Sequence, residues 1–117
     1  MSKTPRARMR KVNETLREVI AGEVMNLKDP RVGFVTITEV DTAPDLRSAV
    51  VYYSVMGDEE EQAATAAGFS QAAPHVQSVI ARQVRMKYTP RLRFVIDPSI
   101  DQGLRIDAIL KEIRDAE

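Results

Sequence analysis

The sequence contains no cysteine and only one histidine, and these absences exclude several kinds of site. A chain without cysteine forms no disulfide, no zinc–thiolate centre and no cysteine nucleophile. His75 has no fixed acidic partner in the sequence, so we predict that it is an ordinary surface residue. The phosphate-binding and nucleophile-elbow patterns Gly-x-x-x-x-Gly-Lys, Gly-x-Gly-x-x-Gly and Gly-x-Ser-x-Gly do not occur. We therefore expect no enzyme, no catalytic residue, no metal site and no cofactor.

Long hydrophobic runs are also missing. The first residues, Met-Ser-Lys-Thr-Pro-Arg, lack the apolar core of a signal peptide, and no apolar run approaches the roughly 20 residues that span a bilayer. We expect a cytoplasmic protein without a membrane partner or a small-molecule substrate. A chain of 117 residues fits one domain, residues 1–117, which buries about two-thirds of its unfolded surface, and we expect a monomer.

Charge is balanced overall but unevenly distributed. Seventeen bases and seventeen acids give a net charge of zero. By segment, residues 1–31 carry a net +4, residues 32–62 a net −6, residues 63–98 a net +4 and residues 99–117 a net −2. Because surface potential follows local charge within a Debye length of about 8 Å, a neutral chain of this kind can still present a basic surface to nucleic acid.

The first half of the chain predicts a helix and a hairpin. After a short basic segment at residues 1–4, Thr4 and Pro5 are favourable at a helix start, and an apolar stripe continues to about Leu27 before Pro30. Residues 33–40 and 46–56 are rich in β-branched and aromatic residues, with turn residues between them. Periodicity leaves open which face of the second strand is buried. Tyr52 and Tyr53 could stack on bases, although cross-strand packing is the commoner role.

The second half predicts a kinked helical region, a strand and a final helix. Asp58 followed by Glu61 resembles a capping box, and the alanine-rich helix after it is interrupted by Gly68 and stops at Ala72, Ala73 and Pro74. Pro74 then begins a second helix that places Ser78, Arg82 and Arg85 on one face and ends before Pro90. Beyond Pro90 a strand carries Leu92, Phe94 and Ile96 on one face and Arg91, Arg93 and Val95 on the other, and a last helix covers about residues 104–115.

These elements predict an α+β fold. The order is helix, strand, strand, helix, kink, helix, strand, helix, with helices on one face of a three-stranded sheet. The long helical connection before the third strand permits parallel pairing, so we expect a mixed sheet.

Bases cluster in the first helix and around the junction between the kinked helix and the third strand. These positions are our candidate RNA contacts, together with the interhelical kink at Ala72, Ala73 and Pro74. The candidate contacts are Arg6, Arg8, Arg10, Lys11, Arg82, Arg85, Lys87, Arg91 and Arg93.

Several separated motifs resemble those of the bacterial ribosome-binding factor A family. They are Leu-Lys-Asp-Pro-Arg-Val-Gly-Phe at residues 27–34, Asp-Leu at 45–46, Ala-Val-Val-Tyr at 49–52, Val-Arg-Met-Lys at 84–87, and the later positions Pro90, Leu92, Phe94, Asp97, Ser99, Gly103 and Ile106. The match covers most of the chain. The resemblance implies a type-II KH-like domain, not an enzyme, that binds the small (30S) ribosomal subunit and its 16S rRNA and assists late maturation and processing of that RNA.

The chain departs from the family pattern at two places. At residues 72–74 this chain has Ala-Ala-Pro, where the pattern of the family that it resembles is Ala-x-Gly. At position 77 it has glutamine, where that pattern favours an arginine. Two other classes of function stay open from the sequence alone, namely a KH-like protein-interaction module that does not bind RNA directly, and a small-ligand binder or enzyme.

Overall fold

The computed structural model describes residues 3–97, with side chains from residue 7 onward. Two helices and three strands follow one another along these residues. They are α1 (Lys3–Met25), β1 (Val35–Thr42), β2 (Ser48–Val55), α2 (Glu59–Gln83) and β3 (Arg91–Ile96). The helix predicted at about residues 104–115 lies outside the described residues.

Helix α1 follows the apolar stripe in the sequence. Leu16, Ile20 and Val24 are buried, while the bases in the first turns whose side chains are described are exposed. The helix ends at Met25, two residues before the predicted end, and the N–H groups of the next two residues donate back to carbonyls three residues earlier.

The three strands form a mixed sheet, as predicted, and their order in the sheet is β1-β2-β3. Strand β1 pairs antiparallel with β2, and β2 pairs parallel with β3. Strand β1 begins and ends two residues later than predicted, and β2 is shorter than the predicted run 46–56. Because β1 runs opposite to β2, and β3 runs parallel to β2, the C-terminal end of β1 lies at the same end of the sheet as the N-terminal ends of β2 and β3.

Strand β1 contains a bulge at Thr38, which alternation alone did not predict. Ile37 pairs with Tyr53 and Glu39 with Tyr52, so Thr38 is the extra residue. The bulge changes which residues face the core, from Val35 and Ile37 before it to Val40 and Thr42 after it.

Both helices pack on one face of the sheet, called here the inner face. Ala49, Val51 and Tyr53 of β2 point to this face, which settles the orientation that periodicity left open. The ring of Phe69 from α2 lies 4.8 Å from Tyr53, edge to face, and 4.5 Å from Phe94, stacked. The buried core comprises Leu16, Ile20, Val24, Ile37, Val40, Ala49, Val51, Tyr53, Phe69, Val76, Ile80 and Leu92.

Helix α2 corrects three predictions. It continues through Pro74 as one helix, so the prediction of two helices that meet at Ala73 was wrong. Phe69 before the proline and Val76 after it are buried in the same core, and this packing outweighs the single backbone hydrogen bond that a proline removes. Gly68 does not interrupt the helix either. The helix ends at Gln83, so Arg85 lies in the following loop rather than on a helical face with Ser78 and Arg82.

The start of α2 matches its prediction. The Asp58 side chain accepts a hydrogen bond from the backbone N–H of Glu61 at 2.8 Å, as a helix cap does. Three acids in the first turn complement the helix dipole.

Candidate nucleic-acid interface

The first turns of α1 lie beside the turn between β1 and β2. The Asn13 side-chain oxygen accepts the backbone N–H of Thr42, the last residue of β1, at 2.9 Å. Arg10 and Pro44 line one groove of about 700 Å³ between α1 and β1. The exposed bases Arg8, Arg10 and Lys11 are therefore held at the end of the sheet where β1 finishes.

The end of α2 is fixed at the same end of the sheet. The Gln77 side-chain oxygen accepts the backbone N–H of Leu92, near the start of β3, at 2.9 Å. The helix continues past this contact to the exposed Arg82, and the loop after it carries exposed Arg85 and Lys87. Gln77 thus has a structural role at this position, because an arginine side chain has no acceptor to offer Leu92.

The two arginines of β3 point away from the helices. Arg91 and Arg93 are exposed and flank the buried Leu92. In the parallel register they lie beside Ser48 and Val50. Both belong to the face of the sheet opposite the helices, called here the outer face, as predicted from the alternation. Ile96, predicted to share a face with Leu92 and Phe94, is 36% exposed at the end of the strand.

Arg47 is a further base at this end that the sequence analysis did not select. Its guanidinium lies 4.5 Å from the centre of the Tyr88 ring and donates to the Tyr88 hydroxyl at 3.2 Å. The Lys87 ammonium lies 5.5 Å from the same ring. The Arg47 carbonyl also accepts the N–H of Arg91 at 2.9 Å. The sequence contained one feature that could have drawn attention to Arg47, since it is the only base in the acidic block 32–62.

Together these residues define what we call the basic end of the domain. Four acids lie near these bases, Asp41 and Asp45 by the β1–β2 turn and Glu14 and Glu39 in the groove that Arg10 lines. The four consecutive acids at residues 58–61 follow the opposite end of β2. The side chain of Arg6 is outside the described part of the structure. The basic end consists of Arg8, Arg10, Lys11, Arg47, Arg82, Arg85, Lys87, Arg91 and Arg93.

The predicted kink residues lie within α2, and Ala73 is the one of the three that lines a cleft with β3. Ala73 lines a cleft of about 220 Å³ together with Ser70 of α2 and with Arg93 and Phe94 of β3. Ala72 is partly buried and Pro74 is exposed. The structure thus brings Ala73 close to Arg93, while the bases of α1 lie across the sheet, over β1.

The Arg31 side chain is paired with neighbouring side chains and is not part of the basic end. Its guanidinium donates to both carboxylate oxygens of Asp29 and also to Gln71 at 2.8 Å. Hydrogen bonds from the Arg31 side chain and backbone lower the pKa of Asp29 from 3.8 to about 2. The Arg31 carbonyl accepts the Thr65 hydroxyl at 3.1 Å, which fastens the segment after α1 to α2.

Metal-binding clusters and membrane-spanning helices are not found in the described residues. His75 is exposed, as predicted, but the premise that it has no acidic partner was wrong, because its Nε2 lies 2.6 Å from a Glu23 carboxylate oxygen. No group of three or more His, Asp or Glu side chains between residues 3 and 97 is placed to hold a metal ion. Neither helix in that range is long and apolar enough to cross a membrane.

Comparison with known proteins gives one consistent family. The family model described as ribosome-binding factor A matches residues 8–110. Ribosome-binding factor A from Geobacter sulfurreducens is 45% identical over 107 residues, which is 91% of each chain.

Two structures of the factor from Thermus thermophilus are also similar. The crystal structure has a TM-score of 0.69 at 28% identity and covers 75% of this chain and 93% of that one. A homology model fitted into a cryo-EM map of a 30S complex has a TM-score of 0.60 at 30% identity and covers 71% and 88%.

Proposed function

This chain belongs to the ribosome-binding factor A family, and on that premise we propose that it binds the small (30S) ribosomal subunit through 16S rRNA and assists late maturation and processing of that RNA. The related Thermus thermophilus factor has been fitted into a map of its 30S complex, which supports the same partner here. We propose a binding role without catalysis.

The observation that carries the RNA part of this proposal is the basic end. The bases of the basic end come from α1, the β1–β2 turn, the end of α2, the loop after it, and β3. These segments are far apart in the sequence, yet the fold gathers them at one end of the sheet. Arginine and lysine at such a surface bind phosphate oxygens, and this contact does not depend on base sequence. A chain with no net charge gains local affinity for RNA in this way.

The fold assignment and the cellular setting are part of the same proposal. The order of the described elements and the mixed sheet are compatible with a single type-II KH-like domain. We propose that the factor acts as a monomer in the cytoplasm.

Sedimentation with purified subunits tests the proposal. The protein should sediment with small subunits and not with large ones, and it should also bind protein-free 16S rRNA. With about five phosphate contacts and a slope of roughly −0.7 per contact, affinity for RNA should fall about a hundredfold between 50 and 200 mM salt. Affinity that stays constant over this range would contradict phosphate binding.

A charge-reversal variant tests the basic end directly. Arg82→Glu combined with Arg91→Glu should weaken binding to subunits and to RNA, while stability changes by no more than about 0.5 kcal/mol per substitution because both side chains are exposed. Lys28→Glu is the matched control for Arg82→Glu alone, since each reverses one charge and Lys28 is exposed in the loop after α1 and outside the basic end. Equal loss of binding in these two single variants would mean that only overall charge matters.

A KH-like protein-interaction module that does not contact RNA is the second candidate. The exposed apolar side chains of Phe34 and Met56 favour it, since such side chains are typical of protein contacts. Binding to intact subunits without any binding to protein-free 16S rRNA would support this alternative over direct RNA recognition.

A further inference from the structure

Two large apolar side chains are exposed side by side at the end of the sheet away from the basic end. Phe34 immediately precedes β1 and Met56 immediately follows β2. The Met56 N–H donates to the Phe34 carbonyl at 3.4 Å, which extends the antiparallel ladder by one pair beyond Val35 and Val55. Directly opposed residues of such a ladder have side chains on the same face, with Cβ atoms about 5 Å apart. We call Phe34 and Met56 the apolar pair.

The apolar pair is not part of the core. Phe34 is 87% exposed and Met56 is 79% exposed, whereas the next pair, Val35 and Val55, packs against the core. Adjacent aromatic and thioether side chains left in water are typical of surfaces that become buried against a partner, and both residue types are enriched in protein interfaces.

Acidic side chains border the apolar pair on one side. Gly57 follows Met56 and has a φ of +138°, and the Glu61 side chain folds back over it, so that a Cβ on Gly57 would be 2.8 Å from a Glu61 carboxylate oxygen. Glu59 and Glu60 are exposed in the same first turn of α2. An RNA backbone would be repelled here, while lysine and arginine would be attracted.

We propose that the apolar pair docks a basic segment of a protein, in which an apolar side chain packs between Phe34 and Met56 and flanking lysine or arginine side chains pair with Glu59 and Glu60. This inference rests on the proposed function, because it places that protein on the small ribosomal subunit. The factor then contacts RNA through its basic end and protein through the opposite end.

Site-specific photo-crosslinking tests which kind of molecule meets each end. A benzoylphenylalanine residue replaces Phe34 in one variant and Ala81, which is exposed beside Arg82, in another. With purified small subunits, the label at position 34 should crosslink to a ribosomal protein, at a segment rich in lysine and arginine. The label at position 81 should crosslink to 16S rRNA. Crosslinks from position 34 to RNA alone, or none while position 81 reacts, would overturn the inference.

Binding measurements on two double variants test the inference independently, because each variant has a predicted direction of change in its affinity for small subunits. Phe34→Ala with Met56→Ala should weaken binding to small subunits at least about tenfold, as expected for an interface hot spot, and leave binding to protein-free 16S rRNA unchanged. Glu59→Lys with Glu60→Lys should also weaken subunit binding. If the lysine variant bound subunits more tightly, or if the alanine variant lost affinity equally for free RNA, the apolar pair would be an RNA contact and the inference would be wrong.

The two proposals fail in different ways. A wild-type protein that did not sediment with small subunits would refute the proposed function and this inference with it. A wild-type protein that sediments normally, with subunit binding unchanged in both the alanine variant and the lysine variant, would refute the inference alone.

Discussion

Replacing Gly68 with alanine tests how closely α2 packs on the segment that follows α1. Gly68 is buried in the middle of the helix, and a Cβ at this position would be only 2.7 Å from a methyl carbon of Val32. Gly22 in α1 is a matched control, because it is also helical but exposed, and a Cβ there would have no neighbouring atom within 4 Å.

Two opposing contributions determine the size of the effect. Alanine is favoured over glycine inside a helix by about 1 kcal/mol, and Gly22→Ala should gain roughly this amount. At Gly68 the same gain is offset by overpacking, which typically costs about 1–3 kcal/mol. Valine has a stiff side chain, and its position is fixed by the neighbouring hydrogen bonds of Asp29 and Arg31, so Val32 cannot easily move away. We expect Gly68→Ala to lose about 1 kcal/mol overall.

Urea unfolding followed by circular dichroism measures both changes. The decisive comparison adds Val32→Ala, which removes the methyl group that Gly68→Ala meets. On that background Gly68→Ala should become neutral or stabilising, so the two substitutions should be non-additive by at least about 1 kcal/mol. Equal stabilisation by Gly22→Ala and Gly68→Ala would refute the packing described here.

Three further substitutions have predicted directions, each measured by equilibrium unfolding. The buried Thr42 hydroxyl has no hydrogen-bond partner in the described part of the chain, so Thr42→Val should stabilise by about 1 kcal/mol, and a loss of stability would indicate a bound water. Because the folded-state pKa of Asp29 is lowered to about 2 by Arg31, this carboxylate stabilises the fold above about pH 4 and less as the pH falls towards 2. In Asp29→Asn the free energy of unfolding should therefore fall less steeply between about pH 4 and pH 2 than in the wild type. The same steepness in both proteins would contradict this role of Asp29. Pro74→Ala restores a donor for the Ser70 carbonyl in mid-helix and should stabilise by up to about 3 kcal/mol, whereas a first-turn proline would show little gain.

The parts of the fold that follow local patterns could be predicted from the sequence. Arg91, Leu92 and Arg93 alternate out, in and out because the side chains of a strand alternate at every residue. Asp58 caps α2 because the donor it satisfies is only three residues away. The charge blocks likewise indicated a basic surface, although not which bases would meet.

Features decided by distant contacts could not be predicted in the same way. The bulge at Thr38 depends on how β1 aligns with β2, and the bulged residue donates to Asp97, which follows β3. The uninterrupted course of α2 past Pro74 depends on core packing on both sides of the proline. Arg47 joins the basic end only because the first residue of β2 pairs with Arg91, a neighbour 43 positions later in the chain.

The placement of charge at opposite ends of a neutral molecule has a consequence for how it approaches its target. With seventeen bases and seventeen acids the protein has no net charge to draw it towards a polyanion from afar. The basic end and the acids at residues 58–61 give the described part of the chain a dipole moment instead, and a dipole in a non-uniform field experiences a torque. Under the proposed function, this torque would turn the basic end towards RNA within about a Debye length, roughly 8 Å, before any contact is made. Orientation, more than attraction, is what such a charge arrangement contributes to association.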